Sequence, residues 1–506
     1  MEELQTMESL NPSLNLNLNL NPNLNLNLNL NSPSTMTDEN FNHSAEVENL
    51  NSSQYSLSPF YNAIVGQELR QELEKELGED LGKKLKPELD LSVPFSLEIA
   101  REMLEIYGSP LYVYDSDRLR QTIRRITKAV PYPHKEFRFA SVTNGNISLL
   151  KIFQEFGWGL HANTPGDVYL GIVAGFHPKD IVYSGSNLNH LEMKQLLNWG
   201  VKTLNLDSIA QLIQFCNLYL ESLKSQETSS QRKKNNLEKE IPRLGLRLNL
   251  PQLTGESRIG VRPEEFEIAN AIANQVGLKI SGIHFYRGTG TNATTAFTQA
   301  IDTVIATAEK LPDWQYLDFG GGFGYPYHHD GVAFDWEIFG HELSDRLSHV
   351  NKKIDLIIEP GRAAIAGCAT LLAKVVSIKW QEEKQIVGVD TTVGNISVPS
   401  VYGNYREIIT WKNQSIKSQF KSPYYTTDIC GNTTYSRDYL GRNCQLPALE
   451  IGDIIGIIDV GAYGYAMSSH FLHRPKPAEV LLENNTHNLI RKREDYSALI
   501  ANQIFN

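Results

Sequence analysis

Apolar strand-like segments and amphipathic helix-like segments alternate between about residues 106 and 370, and this order constrains the fold more than any other feature. Segments such as EFRFASV, LKISGIHF, YLDFGGG and DLIIEP are separated by longer stretches with helical spacing of apolar residues. Such repetition is typical of a closed parallel barrel. After about residue 370 short apolar strands dominate. We therefore expect an α/β chain, with a (β/α)8 barrel followed by a C-terminal all-β domain.

The chain outside these two regions is polar or of low complexity. Residues 11–32 alternate Asn and Leu, which favours a disordered tail, although Asn-rich alternation can also self-associate. Residues 225–240 form a polar insertion in the barrel. The expected organisation is a tail (1–65), a charged helical segment (66–94), a strand contribution to the β-domain (95–117), the barrel (118–370), the β-domain (371–485) and a C-terminal tail (486–506).

A formal net charge of −11 argues against binding to nucleic acid or to an anionic membrane, since both need clustered Lys and Arg. A small-molecule ligand fits better. The four cysteines have no zinc-type spacing, so we expect no metal site and a reducing, cytoplasmic setting. We expect no secretion signal, because Met1-Glu2-Glu3 begins no basic region, and no stretch long and apolar enough to span a bilayer.

Polar and glycine-rich residues follow several barrel strands, where barrel enzymes carry their chemistry. The run Gly320, Gly321 and Gly322 could cradle a phosphate or simply make a turn. Glu359 and Arg362 could serve a ligand or form a structural ion pair. In GIHFYRGTG, Tyr286 could stack on a flat ring and Thr289 could donate to phosphate, or the tyrosine could be an ordinary buried aromatic.

Several motifs together resemble one family. YGSPLYVYD, LDFGGGFG, EPGR, GAY and MSSHFLHRPKPAEV are similar, in order and spacing, to motifs of bacterial diaminopimelate decarboxylases, relatives of ornithine and arginine decarboxylases. The resemblance covers about residues 95–485. It implies an alanine-racemase-like barrel, pyridoxal 5'-phosphate as cofactor, and head-to-tail dimers in which a neighbouring loop completes each site. It places Gly320, Gly321, Gly322 and Arg362 at the phosphate, Glu359 at the ring nitrogen, Tyr286 at a stacking position usually held by His, and Tyr463 near the cofactor.

One departure from the family concerns the lysine that forms the Schiff base with the cofactor. The family pattern Phe/Tyr-Ala-x-Lys-Ala-Asn is similar to residues 139–144, FASVTN, so Val142 stands where the lysine belongs. Lys135 does not replace it, because strand alternation would put it on the opposite face. Lys151 lies inside the next predicted helix. The resemblance therefore implies a cofactor that is bound noncovalently or is absent.

The positions that contact substrate in the family also differ. The family loop Gly-Pro-x-Cys-Glu-Ser-x-Asp is similar to residues 431–438, which places Thr434 at the cysteine and Tyr435 at the glutamate, and keeps Asp438. Cys430 could supply the missing thiol. Val398 occupies the position of an arginine that grips a carboxylate. Tyr402, Tyr435 and Asp438 remain the predicted substrate-binding residues.

These observations leave three functions open. The chain could be an amino-acid decarboxylase with impaired or altered catalysis. It could be a non-catalytic protein that binds the cofactor, an amino acid or an amine. It could also be a regulatory partner, paired with an active paralogue rather than with a second copy of itself.

We predict that residues 1–55 are dispensable for folding, because their Asn/Leu repeat offers no packed core. A truncated protein that starts at Gly66 should unfold in a single cooperative transition, at the same temperature as the full chain. Scanning calorimetry of both proteins checks this. A large drop in the transition temperature would show that the removed segment packs on the rest.

Overall fold

The computed structural model describes residues 94–227, 242–288, 290–328, 330–411 and 423–505. The predictions for residues 1–65, for nearly all of 66–94, for most of the polar insertion and for Thr289 therefore lie outside the described residues. The described chain begins with helix α1 (Leu97–Tyr107) and strand β1 (Leu111–Asp115). Over these ranges, no helix has both the length and the apolar character that a membrane crossing requires.

Eight strands form a closed barrel in which each strand is parallel to the next and the last pairs back with the first. The predicted combination of a barrel with a mostly-β second domain is confirmed. The barrel strands are β2 (Lys135–Ala140), β3 (Gly159–Ala162), β4 (Ile181–Tyr183), β5 (Thr203–Leu206), β6 (Arg243–Arg247), β7 (Ile280–His284), β8 (Tyr316–Asp318) and β9 (Asp355–Ile358).

The helices around the barrel begin and end at residues suited to those positions. Asn189 caps one helix by accepting from the N–H of Glu192, and Gly200 ends it in the left-handed conformation. The helices between β1 and the second domain are α2 (Ser116–Ala129), α3 (Ile147–Glu155), α4 (Pro165–Ala174), α5 (His190–Trp199), α6 (Ile209–Glu227), α7 (Pro251–Thr254), α8 (Phe266–Gln275), α9 (Thr294–Ala308), α10 (Trp336–Ser348) and α11 (Arg362–Ile365).

The elements of the second domain after the barrel are β10 (Ala369–Gln381), β11 (Lys384–Val389), α12 (Val398–Tyr402), β12 (Ile408–Thr410), β13 (Tyr424–Cys430), β14 (Tyr439–Pro447), β15 (Ile454–Ile458), β16 (Ala478–Glu483) and β17 (Thr486–Arg491). They build one large sheet with the order β14-β13-β11-β10-β1-β16-β17, to which β15 and β12 are added through β10. Strand β1 lies inside this sheet, antiparallel to β10 and parallel to β16.

The expectation of a tail over residues 486–506 is wrong for its first part, which forms strand β17 and pairs with β16. Asn484 and Asn485 both have positive φ, 48° and 62°, as a two-residue hairpin turn requires. Beyond the strand, the guanidinium of Arg493 donates to the carbonyl oxygens of Tyr107 and Pro110. These bonds connect the segment after β17 to the segment between α1 and β1.

A fully buried carboxylate, Glu479, joins the two domains. It accepts from the Tyr114 hydroxyl at 2.7 Å and from Nδ2 of Asn146 at 2.9 Å, and it pairs with Arg491. Nδ2 of Asn144 in turn donates to the Tyr114 hydroxyl at 3.1 Å. Asn144 and Asn146 follow barrel strand β2, whereas the other three residues belong to the sheet of the second domain. The hydrogen bonds of Glu479 therefore fix one barrel loop to that sheet.

We predict that Glu479→Ala lowers the free energy of unfolding by about 2 to 6 kcal/mol, because it leaves the buried hydroxyl of Tyr114 and the buried amide of Asn146 without their partner, at about 1 to 3 kcal/mol for each group. Urea denaturation measures this. Glu483→Ala is the matched control, since its partly exposed ion pair with Arg120 is worth at most about 1 kcal/mol. Equal effects of the two substitutions would contradict the role given to Glu479.

Candidate functional site

Val142 lies in a single 3-10 turn, residues 141–143, directly after barrel strand β2. Its side chain is 42% exposed, an unusual position for valine at the rim of a barrel. The turn is held on both sides: the Thr143 hydroxyl donates to the carbonyl oxygen of Ala140 at 2.8 Å, and the N–H of Tyr463 donates to the carbonyl oxygen of Thr143 at 2.9 Å. The backbone at this position is therefore well fixed, and the side chain has room around it.

Neither nearby lysine takes the position that the family resemblance gives to the Schiff-base lysine. Lys135 is the first residue of β2 and Val142 follows its last residue, so the two lie at opposite ends of the strand. This separation excludes Lys135 more directly than the predicted strand alternation does, because Val142 is not part of the strand. Lys151 is an exposed residue of helix α3.

The three glycines after β8 lie where no side chain would fit. Gly320 and Gly322 have φ values of +63° and +96°. The N–H of Gly320 donates to Oδ1 of Asp318 at 3.0 Å, so it is occupied within the protein. A Cβ atom on each glycine would lie under 3 Å from a main-chain oxygen: that of Phe285 for Gly320, of Glu359 for Gly321 and of Gly288 for Gly322.

Arg362, the first residue of α11, lies beside this loop. Its Cζ atom is 5.1 Å from the ring centre of Tyr463, and a Cβ on Gly290 would be 3.2 Å from it. Tyr286 is near Gly322, since a Cβ there would lie 3.6 Å from its ring. Within the described residues, the Arg362 guanidinium forms no hydrogen bond or ion pair. The structure thus brings Arg362 and the glycine loop to the same segment at Gly290 and Thr291, and in the described residues the guanidinium has no hydrogen-bond or ionic partner.

Two histidines and two carboxylates meet at the carboxyl ends of the barrel strands. Glu359, directly after the β9 segment, has its Oε2 atom 3.1 Å from Nε2 of His284 and 3.5 Å from Nε2 of His161. Asp318 accepts from Nδ2 of Asn205 at 2.9 Å. All five side chains are buried.

Burial dominates the ionisation of this cluster. It lowers the pKa of His284 to about 4 and that of His161 well below its usual value, so both imidazoles are neutral near pH 7. It raises the pKa of Glu359 to about 7, and burial together with the charge of Glu359 raises that of Asp318 well above its usual value. One proton shared between the two carboxyl groups relieves their repulsion.

The retained aspartate of the predicted substrate loop is used inside the protein. The carboxylate of Asp438 accepts from the hydroxyls of Thr392 and Thr433 and, at 2.7 Å, from the N–H of Val393. Its side chain is buried. In this chain Asp438 therefore acts as the centre of its own loop.

The other predicted substrate residues lie apart from the glycine loop. Tyr402 is 60% exposed and Thr434 is exposed, while Val398 is buried. The ring of Tyr435 packs edge-on against Phe471. Among the described residues, none of these four or Asp438 makes a hydrogen bond or ring contact with the glycine loop, Arg362 or Tyr463. One chain by itself does not bring the two halves of the predicted site together.

Four residues of the site were not predicted from the sequence: His161, His284, Asp318 and Arg247. His284 and Asp318 end barrel strands, inside the motifs that carry Tyr286 and the glycine run. Arg247 ends β6, with its Cζ atom 5.2 Å from the ring centre of Tyr286. For these three residues the position at a strand end was the available signal, whereas His161 lies inside β3.

Comparison with known proteins agrees with this geometry. Residues 116–366 match the family described as pyridoxal-dependent decarboxylase, pyridoxal binding domain. A diaminopimelate decarboxylase from Methanothermobacter thermautotrophicus is 30% identical over 418 residues, which covers 80% of this chain and 94% of the relative. That of Aquifex aeolicus is 29% identical over 411 residues, covering 79% and 93%.

Solved structures are similar over the same region. Diaminopimelate decarboxylase from Helicobacter pylori complexed with L-lysine has a TM-score of 0.68 at 25% identity and covers 79% of this chain and 98% of its own. The enzyme from Methanocaldococcus jannaschii, also with L-lysine, has a TM-score of 0.71, covers 80% and 94%, and at 24% identity supports the fold. The chain therefore belongs to the pyridoxal-phosphate-dependent decarboxylase family that includes the diaminopimelate decarboxylases.

Proposed function

We propose that this protein binds pyridoxal phosphate or a closely similar phosphate ester by noncovalent contacts, and that it has lost most of the decarboxylase turnover of its relatives. The observation that carries the proposal is the contrast between the two ends of the site. The phosphate end keeps its glycines and an arginine, whereas Val142 stands at the position of the cofactor-linked lysine.

The residues present fit the phosphate of the cofactor. Gly321 and Gly322 carry no side chain that could cover this loop, so its backbone N–H groups can face an anion. The guanidinium of Arg362 has no other ionic partner in the described residues, and arginine pairs with phosphate through two parallel hydrogen bonds. Tyr286 and Tyr463 lie at the edges of this space and are suited to packing against a flat ring.

The residues do not fit the covalent linkage. Valine carries no amine, so Val142 cannot exchange with the amine of a substrate or return a proton during release. When bound, pyridoxal phosphate supplies an electron sink for chemistry at the α-carbon of an amino acid. Glu359, whose pKa burial raises to about 7, can take up or return a proton at its carboxylate oxygens near neutral pH. The protein therefore keeps an acid–base group but lacks the nucleophile.

The substrate side points to the same loss. Thr434 replaces a thiol, Tyr435 replaces a carboxylate, and the carboxylate of Asp438 is occupied by its own loop. General acid catalysis alone is worth about 10² to 10⁴ in rate, so the absence of the proton donor is a second severe handicap. The ligand class that we propose beside the cofactor is an amino acid or amine, as L-lysine is for the solved relatives.

We also propose that the site is completed by a second subunit, either another copy of this chain or an active paralogue. Val401 and Tyr402 of α12 and Phe471 expose 57%, 60% and 49% of their surfaces, which is a large exposure for apolar side chains. All four cysteines are free thiols, which supports a reducing compartment such as the cytoplasm.

We predict that pyridoxal phosphate stabilises the protein by mass action, by about 2.7 kcal/mol when the ligand is at 100 times its dissociation constant. Arg362→Ala should weaken that binding by about 10 to 150 times, because it removes a charge-assisted contact worth about 1.5 to 3 kcal/mol. Thermal denaturation across a ligand titration measures both quantities.

The matched control is Arg442→Ala, which removes an exposed arginine of β14. It should leave the ligand-induced shift unchanged. The absence of a shift in the parent protein at millimolar ligand, or an equal shift in Arg362→Ala, would contradict the proposed phosphate site.

We predict that Val142→Lys allows borohydride to fix the cofactor to the protein, whereas the parent releases it on denaturation. The side chain is 42% exposed, so a lysine fits there without repacking the core. Val142→Met, of similar length but with no amine, is the control. Mass spectrometry after reduction detects the added cofactor.

The same lysine variant should not decarboxylate diaminopimelate, because Thr434, Tyr435 and Val398 remain unchanged. Release of carbon dioxide from diaminopimelate, lysine, ornithine and arginine is the assay. Robust turnover by the parent would overturn the proposed function. Turnover of diaminopimelate by Val142→Lys would show instead that the substrate-side changes are tolerated.

A further inference from the structure

The buried cluster of His161, His284 and Glu359 has the composition of a metal site. One nitrogen of each imidazole and one carboxylate oxygen all lie within 4.8 Å of one another. The two rings are nearly parallel, 13° apart, with their centres separated by 6.3 Å. In the part of the chain that the structure describes, this is the one group of three or more such side chains that could share an ion.

Hydrogen bonding within the protein does not account for His161. Its side chain is buried, and neither Nδ1 nor Nε2 has a hydrogen-bond partner among the described residues. The nearest acceptor, Oε2 of Glu359, is 3.5 Å from Nε2. Oε1 of Glu359 and Nδ1 of His284 also lack partners. Buried polar atoms are nearly always paired, so this group of unpaired nitrogen and oxygen atoms points to a missing ligand.

We propose that His161, His284 and Glu359 bind a divalent transition-metal ion, with Zn²⁺ as the representative ion. Zinc bonds of about 2.0 to 2.2 Å place the ligand atoms of a tetrahedral site about 3.3 to 3.6 Å apart. The separations of Glu359 Oε2 from the two imidazoles, 3.1 and 3.5 Å, are close to that requirement. The two imidazole nitrogens lie within 4.8 Å of each other, so coordination of one ion requires them to move closer together.

The charges of the cluster suit a cation. Both imidazoles are buried, and neutral imidazole is the form that binds metal. Asp318 adds a second buried carboxyl group beside Glu359. Two imidazoles and one carboxylate leave a fourth position of the tetrahedron for water or a small ligand.

This inference goes beyond the proposed function and does not rest on it. The phosphate-binding residues lie in the glycine loop and at Arg362, whereas the metal ligands are three other side chains. Glu359 has one oxygen toward the histidines and a second, Oε1, that is unpaired, so a ring nitrogen and an ion do not require the same atom. Binding of the ion and binding of the phosphate can therefore be measured separately.

The test uses the full chain, stripped of metal with a chelator and free of pyridoxal phosphate. Zn²⁺ is titrated against a chromophoric chelator, and Co²⁺ is added to record the visible absorption that reports coordination number. We expect one equivalent to bind. Loss of an outer-shell partner alone costs about 10 to 100 times in metal affinity, so His161→Ala and His284→Ala should each weaken binding at least about 100 times.

Three controls make the outcome decisive. His190→Ala removes an exposed histidine at the start of α5 and should bind Zn²⁺ as the parent does. Arg362→Ala should lose the stabilisation by pyridoxal phosphate but keep the metal. If circular dichroism shows that His161→Ala is unfolded, His161→Gln is judged by the same criterion. Equal Zn²⁺ affinity of the parent and the His161 variant, or no stoichiometric binding by the parent, would overturn the metal site.

Discussion

Closure of the eight-stranded barrel is the constraint on which the rest of the structure depends. Because β9 pairs back with β2, all carboxyl strand ends lie at one rim, and residues distant in sequence such as His161, His284 and Glu359 become neighbours. The same closure brings main-chain segments so near one another that only glycine fits at 320–322. The cluster of titratable groups and the glycine loop beside it therefore both result from closure of the barrel.

The parts of this structure that are encoded locally could be predicted from the sequence. Alternation of strands and helices is visible in short windows, so the barrel and the mostly-β domain could be predicted. The role of His161 could not be predicted, because a single histidine in an apolar segment has no local signal and its partners lie on other strands. The hairpin at Asn484 and Asn485 is a different case, since two adjacent asparagines after the apolar segment AEVLL are a local turn signal.

In this protein, a residue that matches the family pattern does not always keep the role that the pattern implies. Asp438 keeps the charge expected from the family resemblance, yet its oxygens are engaged by Thr392, Val393 and Thr433. Val142 keeps the backbone setting of its position, held by the bonds of Thr143, while its side chain lacks the chemistry. Motif comparison recognises identities, whereas the hydrogen-bond partners of each side chain decide what it can still do.

The place of β1 within the sheet of the second domain affects how the chain is made. Residues 111–115 are synthesised early, but one of their two neighbouring strands is formed by residues 478–482. On the ribosome, β1 must wait with an unpaired edge until residues 478–482 have emerged, and long-range pairing of this kind is slow and prone to aggregation. The buried carboxylate of Glu479 arrives with that strand, so its hydrogen bonds between the barrel loop and the sheet form only after β16 has been made.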